Sequence, residues 1–325
     1  MTSFRFFTVD AFVLQTGTGV FSGNPAGVVL VPKGEEVPAE TMQNIAAEVN
    51  ISETAFVTPL EDLPLEQVSR FGLRWFSPTV EIDLCGHGTL ASAHIIFNSL
   101  QSTVPSVSFT TRSGLLTSHK NPTTGLTSIS LPVNTPSPLA SNLAGSPAFA
   151  RLTSAILGDI KPASSHYADV LRLLVLHISG GESVLRSLKP NFKDILEWGD
   201  KAIPGSLGVI VTSEGDGDID FVSRCFGPAI GVEEDPVTGK NNRLVAILPQ
   251  AAYCFNSHLL YSFVRLGSAH TILAPYWSPF IGKPTLRARQ CSRRTGELHL
   301  TLNEKDGKVV LEGRSVTVVE GVFRI

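Results

Sequence analysis

Residues 71–97 read FGLRWFSPTVEIDLCGHGTLASAHIIF. Strand, turn and helix follow one another here. The residues around Leu73 and Trp75 suit a half-buried strand. Ser77-Pro78 breaks it. The Pro-free, small-residue run from Thr89 to Phe97 suits a buried helix. Between them stands Cys85-Gly86-His87-Gly88. Glycines ahead of a helix permit a sharp turn and leave backbone N–H groups pointing forward, a terminus that attracts anions. His87 is placed there as an acid, base or hydrogen-bond donor, or else as a solvated His in a tight turn.

Residues 221–239, FVSRCFGPAIGVEEDPVTG, echo that order. Trp75-Phe76-Ser77-Pro78 matches Cys225-Phe226-Gly227-Pro228. Gly86-His87 and its helix match Gly239 followed by Ser268-Ala269. A spacing this long marks an internal duplication rather than a solenoid. Two copies about a pseudo-twofold would set two helix N-termini face to face and make one anion-friendly cleft between two lobes.

A chain of 325 residues has room for two domains, and 42% hydrophobic against 17% charged residues fills a large core. The net charge of −3 makes no case for nucleic acid or an anionic membrane as partner. Cys85, Cys225, Cys254 and Cys291 form no CxxC pair and no disulfide framework, which fits a reducing compartment. MTSFRFFTVDAFV carries an acid too early for a signal peptide, and no run reaches the ~20 apolar residues of a membrane span. A cytoplasmic protein is the expectation.

Taken in order, Phe4 to Leu14 reads as a strand, GVFSGNP (19–25) as a loop and Ala26 to Val31 as a second strand. Glu40 to Glu48 has helical spacing, with Met42, Ile45, Ala46 and Val49 on one face. Glu53 falls where that helix gives way to a strand, a usual place for a working side chain, although a surface Glu would look the same. Residues 61–69 read as an acidic loop and 104–132 as short strands. Residues 133 to about 147, rich in Ser, Pro and Ala, read as a linker between lobes. Tyr167 to Ile178 reads as one strand, Glu182 to Lys189 and Asn191 to Trp198 as helices, and Leu207 to Thr212 as a strand. Residues 286–325 read as strands with an Asp306-Gly307 hairpin. The whole is strand-rich α+β without alternating βαβ units or GxGxxG, which disfavours a Rossmann fold.

Four motifs carry a resemblance: FSGNP (21–25), NISETAFV (50–57), WFSPTVEIDLCGHGTLASAH (75–94) and FGPAIGVEEDPVTG (226–239) with its SAH continuation. Together, in this order, they resemble the PhzF family, the phenazine-biosynthesis-like isomerases of the diaminopimelate-epimerase fold. The resemblance implies two pseudo-symmetric strand-rich lobes, 1–132 and 133–325, each a barrel-like sheet around a central helix, with a C-terminal strand that returns to the first lobe. It also implies cofactor-free isomerisation of a small carboxylate substrate, with no metal, and a homodimer.

Without a metal or pyridoxal phosphate, side chains must remove and return the proton, and fixed dipoles must hold the carboxylate. Glu53 matches the family's general acid/base. To work near neutral pH its pKa would rise from ~4.3 towards ~6–7 through partial burial. His87 matches the second polar residue, Asp235 the acid of DPVTG, and Ser268 the serine after the Gly. Asn24, Gly86, Gly88, Thr89 and Gly239 line the expected anion cradle. Cys85 lies where related two-cysteine racemases and epimerases of this fold keep one thiol. The matching place in the second half is near Thr238, which cannot act as a thiolate, so Cys85 reads as a packed residue beside a Gly turn. The other cysteines read as buried neutral thiols, and no paired Cys/His ligands suggest zinc. The alternatives are an inactive carboxylate-binding or partner protein of the same fold, or a racemase.

One interruption remains. KNNRLVAILPQAAYCFNSHLLYSFVRLG (240–267) splits DPVTG from SAHTILAPYW. It holds no Asp or Glu in 28 residues, ends in Gly267, and leaves DPVTGSAH when removed. Gly239-Lys240 can be encoded GGTAAG, donor-like, and Leu266-Gly267 with an acceptor-like TTAG. The reading is a short retained intron that keeps the frame; the rival is an apolar lid helix, residues 244–261, broken at Pro249. In the chain as written, Asp235 and Ser268 are expected to be uncoupled and activity low or absent.

Overall fold

The computed structural model describes residues 2–17, 21–230, 232–235 and 266–325. The body of the interruption, with the retained-intron and lid readings placed on it, lies outside the described residues. The first half runs β1 (Ser3–Val13), β2 (Asn24–Leu30), α1 (Ala39–Val49), β3 (Glu53–Pro59), β4 (Arg70–Phe76), β5 (Glu81–Ile82) and α2 (Gly86–His94), then β6 (Ser106–Thr111), β7 (Gly114–Lys120) and β8 (Thr127–Pro132). The second runs β9 (Ser137–Pro138), α3 (Ser141–Ala144), α4 (Pro147–Leu157), β10 (Ser164–Ala168), β11 (Leu173–His177), α5 (Gly181–Ser187) and α6 (Phe192–Ala202). It continues with β12 (Gly208–Glu214), β13 (Phe221–Gly227), β14 (Val232–Asp235), α7 (Leu266–Ile281), β15 (Thr285–Gln290), β16 (Gly296–Asn303) and β17 (Lys308–Arg324).

The chain divides into two compact units. The first holds Met1–Leu131, Arg294–Leu298 and Val310–Ile325; the second holds Pro132–Arg293 and His299–Val309.

In the first unit β1, β2, β3, β4, β6, β7, β8 and β17 pair in turn, and β17 closes back on β1. Closure leaves the barrel no open edge. Helix α2 is buried from Gly86 to Ala93, and apart from His87 those residues are apolar or small, as a helix inside a barrel must be. Trp75, on β4, is also fully enclosed, which contributes roughly 1.5–3 kcal/mol for a side chain of that size. Helix α1 turns Met42, Ile45 and Ala46 inward against Phe4, Val29, Phe56 and Phe76. It ends at Asn50, whose φ of 52° makes the left-handed stop.

The second unit repeats the pairing scheme. β1–β2 is antiparallel, β2–β3 parallel, β3–β4 antiparallel and β4–β6 parallel. β10–β11, β11–β12, β12–β13 and β13–β15 follow the same sequence of senses. Helix α7 takes the place of α2 in chain order. Its Trp277 stacks on Phe221 at 5.7 Å and donates Nε1–H to Thr212 Oγ1 at 2.9 Å. The Arg74–Glu81 fork (Nε–Oε1 2.7 Å, Nη2–Oε2 2.9 Å) recurs as Arg224–Glu234 (2.7 and 3.0 Å). Each Arg also lies 5.1 Å over the Phe two residues on, Phe76 or Phe226. The α+β duplication is therefore present in fold, register and side chains.

Three expectations need correction. Parallel βαβ crossovers do occur, β2–α1–β3 and β11–α5/α6–β12, because α1 and α6 return the chain to the start of a neighbouring strand. Residues 167–178 are not one strand but parts of β10 and β11. The chain reverses at Arg172, whose φ is 57°, with Val170 exposed. Residues 133–147 belong to the second unit. Leu139 packs on its core, and Ser146 caps α4 by accepting from Phe149 N with Pro147 in the first turn. Helix α4 itself has no counterpart in the sequence reading.

Candidate active site

Glu53 is the first residue of β3, paired beside Ala26 of β2. Asn24 opens β2, and the preceding Gly23 has φ 72°, which permits the tight entry of the FSGNP loop. Arg294 holds that loop from within the first unit. Its Nε donates to Gly23 O at 3.0 Å, and its Nη2 donates to Ser22 O at 2.8 Å and pairs with Asp10 Oδ2 at 2.6 Å. Burial pushes the Asp10 carboxyl up from its ordinary value and Arg294 pulls against it.

Cys85 is the N-cap of α2. Its Sγ accepts from Gly88 N at 3.3 Å, and the first turn then carries His87 inward. His87 Nε2 lies 2.9 Å from Glu53 Oε2, and neither side chain reaches solvent. Asn24 Nδ2 lies 3.3 Å from His87 Nδ1. With the amide nitrogen on that side Nδ1 accepts, so the ring proton sits on Nε2 and is donated to Glu53. Ser52 Oγ stands 3.3 Å from Nε2 and donates to Pro25 O at 2.8 Å. Cys85 Sγ is 3.5 Å from His87 Nδ1 and 3.9 Å from Glu53 Oε2.

The structure thus brings Asn24, Glu53, Gly86, His87, Gly88 and Thr89 together in the first unit. Thr89 spends its hydroxyl on Cys85 O at 2.5 Å, an internal helix bond. Asp235 ends β14 in the second unit, buried, with its carbonyl accepting from Gln290 Nε2 and Ser292 Oγ. Burial pushes the Cys225 thiol beside it well up, and the charges of Asp235 and Glu234 add to this. Ser268 lies in the first turn of α7. Gly239 lies outside the described residues. Ser52 and Arg294 were missed. Ser52 was legible beside Glu53 in NISETAFV; Arg294 gives no local signal, because its partners are more than 270 residues away in sequence.

A duplicated barrel-and-helix fold with a buried Glu–His pair at the N-terminus of one central helix defines a class of α+β proteins of the diaminopimelate-epimerase type. The PhzC-PhzF family, described as phenazine biosynthesis-like protein, matches residues 9–257, and the chain belongs to it. It is 38% identical over 327 residues to phenazine biosynthesis-like domain-containing protein 2 of Mus musculus, covering 98% of both chains. It is 35% identical to an uncharacterized isomerase of Halalkalibacterium halodurans, covering 96% of both. A PhzF-family crystal structure from Enterococcus faecalis superposes with a TM-score of 0.76 at 30% identity, covering 100% of both chains. Family and relatives support an isomerase-type enzyme. No described helix is long and apolar enough to cross a membrane.

Proposed function

We propose that this protein is an isomerase that moves a proton along a small carboxylate-bearing metabolite, with Glu53 as the proton shuttle. The observation that carries the reading is the Glu53 Oε2–His87 Nε2 contact of 2.9 Å in a site closed to water. A carboxylate in that setting can take a proton from a carbon next to an electron-withdrawing group and return it to a neighbouring carbon. His87, held by Asn24 and Ser52, fixes the orientation of Glu53 and takes up charge as the proton moves. The N–H groups of the first turn of α2 supply a dipole for the substrate's negative charge. Asp235 and Ser268 carry the roles that the resemblance implies, and the same assay tests them.

A single-base path is favoured over a symmetric two-carboxylate racemisation. In the pairing register Glu53 stands opposite Ala26, and the repeat places Gly208 there, opposite Leu173. The test is deuterium uptake from solvent into a panel of small unsaturated or hydroxylated carboxylates, followed by proton NMR. Uptake by the native chain, slow because the 240–267 interruption separates Asp235 from Ser268, and a further loss of at least ~10²-fold in Glu53→Gln are expected. Equal uptake by both would overturn the assignment.

A further inference from the structure

We infer that Glu53, Cys85 and His87 form a binding site for a borderline-soft divalent metal ion, Zn2+ above all. One ligand atom from each lies within 4.8 Å of the other two, and all three residues are buried. Measured from His87 Nε2, the triangle has edges of 2.9 Å to Glu53 Oε2 and 3.9 Å to Cys85 Sγ, with 3.9 Å between sulfur and oxygen. Metal bonds of ~2.3 Å to sulfur and ~2.0–2.2 Å to nitrogen and oxygen, at tetrahedral angles, give edges of about 3.4–3.6 Å. Rotamer adjustments of a few tenths of an ångström make the two triangles coincide. Three protein donors match the ligand count of a zinc site of the exchangeable kind rather than the four of a closed structural one.

The donor chemistry selects the ion. A thiolate and an imidazole exclude Mg2+ and Ca2+, which take oxygen ligands, and favour Zn2+, with Co2+ as its spectroscopic substitute. The surroundings supply an outer shell. Gly88 N–H donates to the sulfur at 3.3 Å, which suits the thiolate a metal requires. Asn24 faces His87 Nδ1 at 3.3 Å; with its amide flipped so that Oδ1 accepts, the ring proton moves to Nδ1 and Nε2 is free to hold the ion. On binding, the sulfur–metal bond replaces the S–H bond and that proton leaves to solvent. The spacing, Glu53 far upstream of Cys85-x-His87, hides the site from any paired-ligand pattern, which is why the sequence argues against zinc.

The binding stands on donor geometry alone; only its consequence, inhibition by capture of the Glu53–His87 pair, rests on the function proposed above. The full chain, stripped by chelator dialysis, is titrated with Co2+ and then with Zn2+ in the absence of any substrate. One equivalent, a thiolate-to-cobalt charge-transfer band, intense tetrahedral d–d bands and their loss on adding Zn2+ are expected. Cys85→Ser should abolish the charge-transfer band, and Glu53→Gln should weaken Zn2+ at least ~10-fold. Cys225→Ser and Cys291→Ser should keep both, and circular dichroism checks that each variant is folded. The absence of the band in the native chain, or its survival in Cys85→Ser, overturns the site. Binding without proton exchange would overturn the isomerase reading and leave the metal site standing; exchange without binding would do the reverse.

Discussion

Glu53 and Gly208 hold the same place in the two units. Each opens the third strand of its repeat, Glu53 opposite Ala26 and Gly208 opposite Leu173, and each precedes the residue that pairs with a phenylalanine, Phe76 or Phe226. One strand further on the asymmetry reverses. Trp75 pairs with Ile82, whereas Cys225 pairs with Asp235. The duplication has kept its backbone and placed one acid in each copy at non-equivalent positions. In the first copy an imidazole lies 2.9 Å from the carboxylate.

Gly208 cannot be returned to a side chain cheaply. A Cβ there would stand 2.5 Å from Phe226 O, a backbone atom of the neighbouring strand, and 3.3 Å from Gly227 Cα. Gly208→Ala is therefore expected to destabilise by ~1–3 kcal/mol through overpacking, read as a lower urea midpoint. An unchanged midpoint would mean that β12 and β13 separate freely.

The repeated Arg–Glu forks should differ in worth although their geometry agrees. The Arg224 side chain is 10% exposed and also donates Nη1 to Leu185 O and Leu188 O; the Arg74 side chain is 36% exposed. Arg224→Met strands Glu234 and the two carbonyls, and a loss of ~3–5 kcal/mol is expected. Arg74→Met should cost ~1 kcal/mol or less; Arg112, 3.1 Å from Glu81 Oε2, still serves the carboxylate. Chemical denaturation of the two variants side by side checks the order, and equal losses contradict it.

His94 should set an acid limit. Burial, and secondarily the charge of Lys120, push its imidazole down from 6.5 to about 4. Its neighbours suit the neutral ring. Lys120 Nζ holds Asn98 Oδ1 at 3.0 Å, which turns the Asn98 amide nitrogen towards His94 Nδ1 at 3.1 Å and leaves Nε2 to donate to Thr317 at 3.2 Å. Above pH 6.5 neither the folded nor the unfolded chain carries this proton. Between pH 6.5 and about 4 only the unfolded chain does, so stability falls as pH falls, by up to ~3 kcal/mol, and then levels. Denaturant midpoints across that window should show the slope, and His94→Gln should flatten it.

The fold was legible because its strongest signal in the sequence, a strand, a Pro turn, a Gly and a small-residue helix, occurs twice, and the two copies support each other. The register-matched Arg–Glu–Phe set in each copy shows how deep that echo runs. Tyr167 to Ile178 misled because Ala168 and Leu173, the last and first residues of the two strands, leave only a short turn that an apolar run conceals. Residues 133–147 misled because capping Ser and first-turn Pro look like linker composition until α4 is seen behind them. At the site, local motifs pointed to Glu53 and His87, but the placement of Cys85 Sγ against both depends on how α2 enters the barrel. No spacing rule encodes that.

Arg294 is the side chain whose loss should couple stability to the site. It pairs with Asp10, whose side chain is 5% exposed, and carries the Ser22 and Gly23 carbonyls directly before Asn24. Arg294→Met leaves a buried carboxylate without its cation, which costs ~3–5 kcal/mol, and also releases the loop that aims Asn24 at His87. Asp10→Asn combined with Arg294→Met removes the stranded charge and should recover a large part of the stability. It does not restore the two carbonyl contacts, so deuterium uptake should stay impaired in the double variant although the fold is regained. If stability and uptake return together, Arg294 serves only as the counter-ion of Asp10, and the FSGNP loop holds Asn24 in place without it.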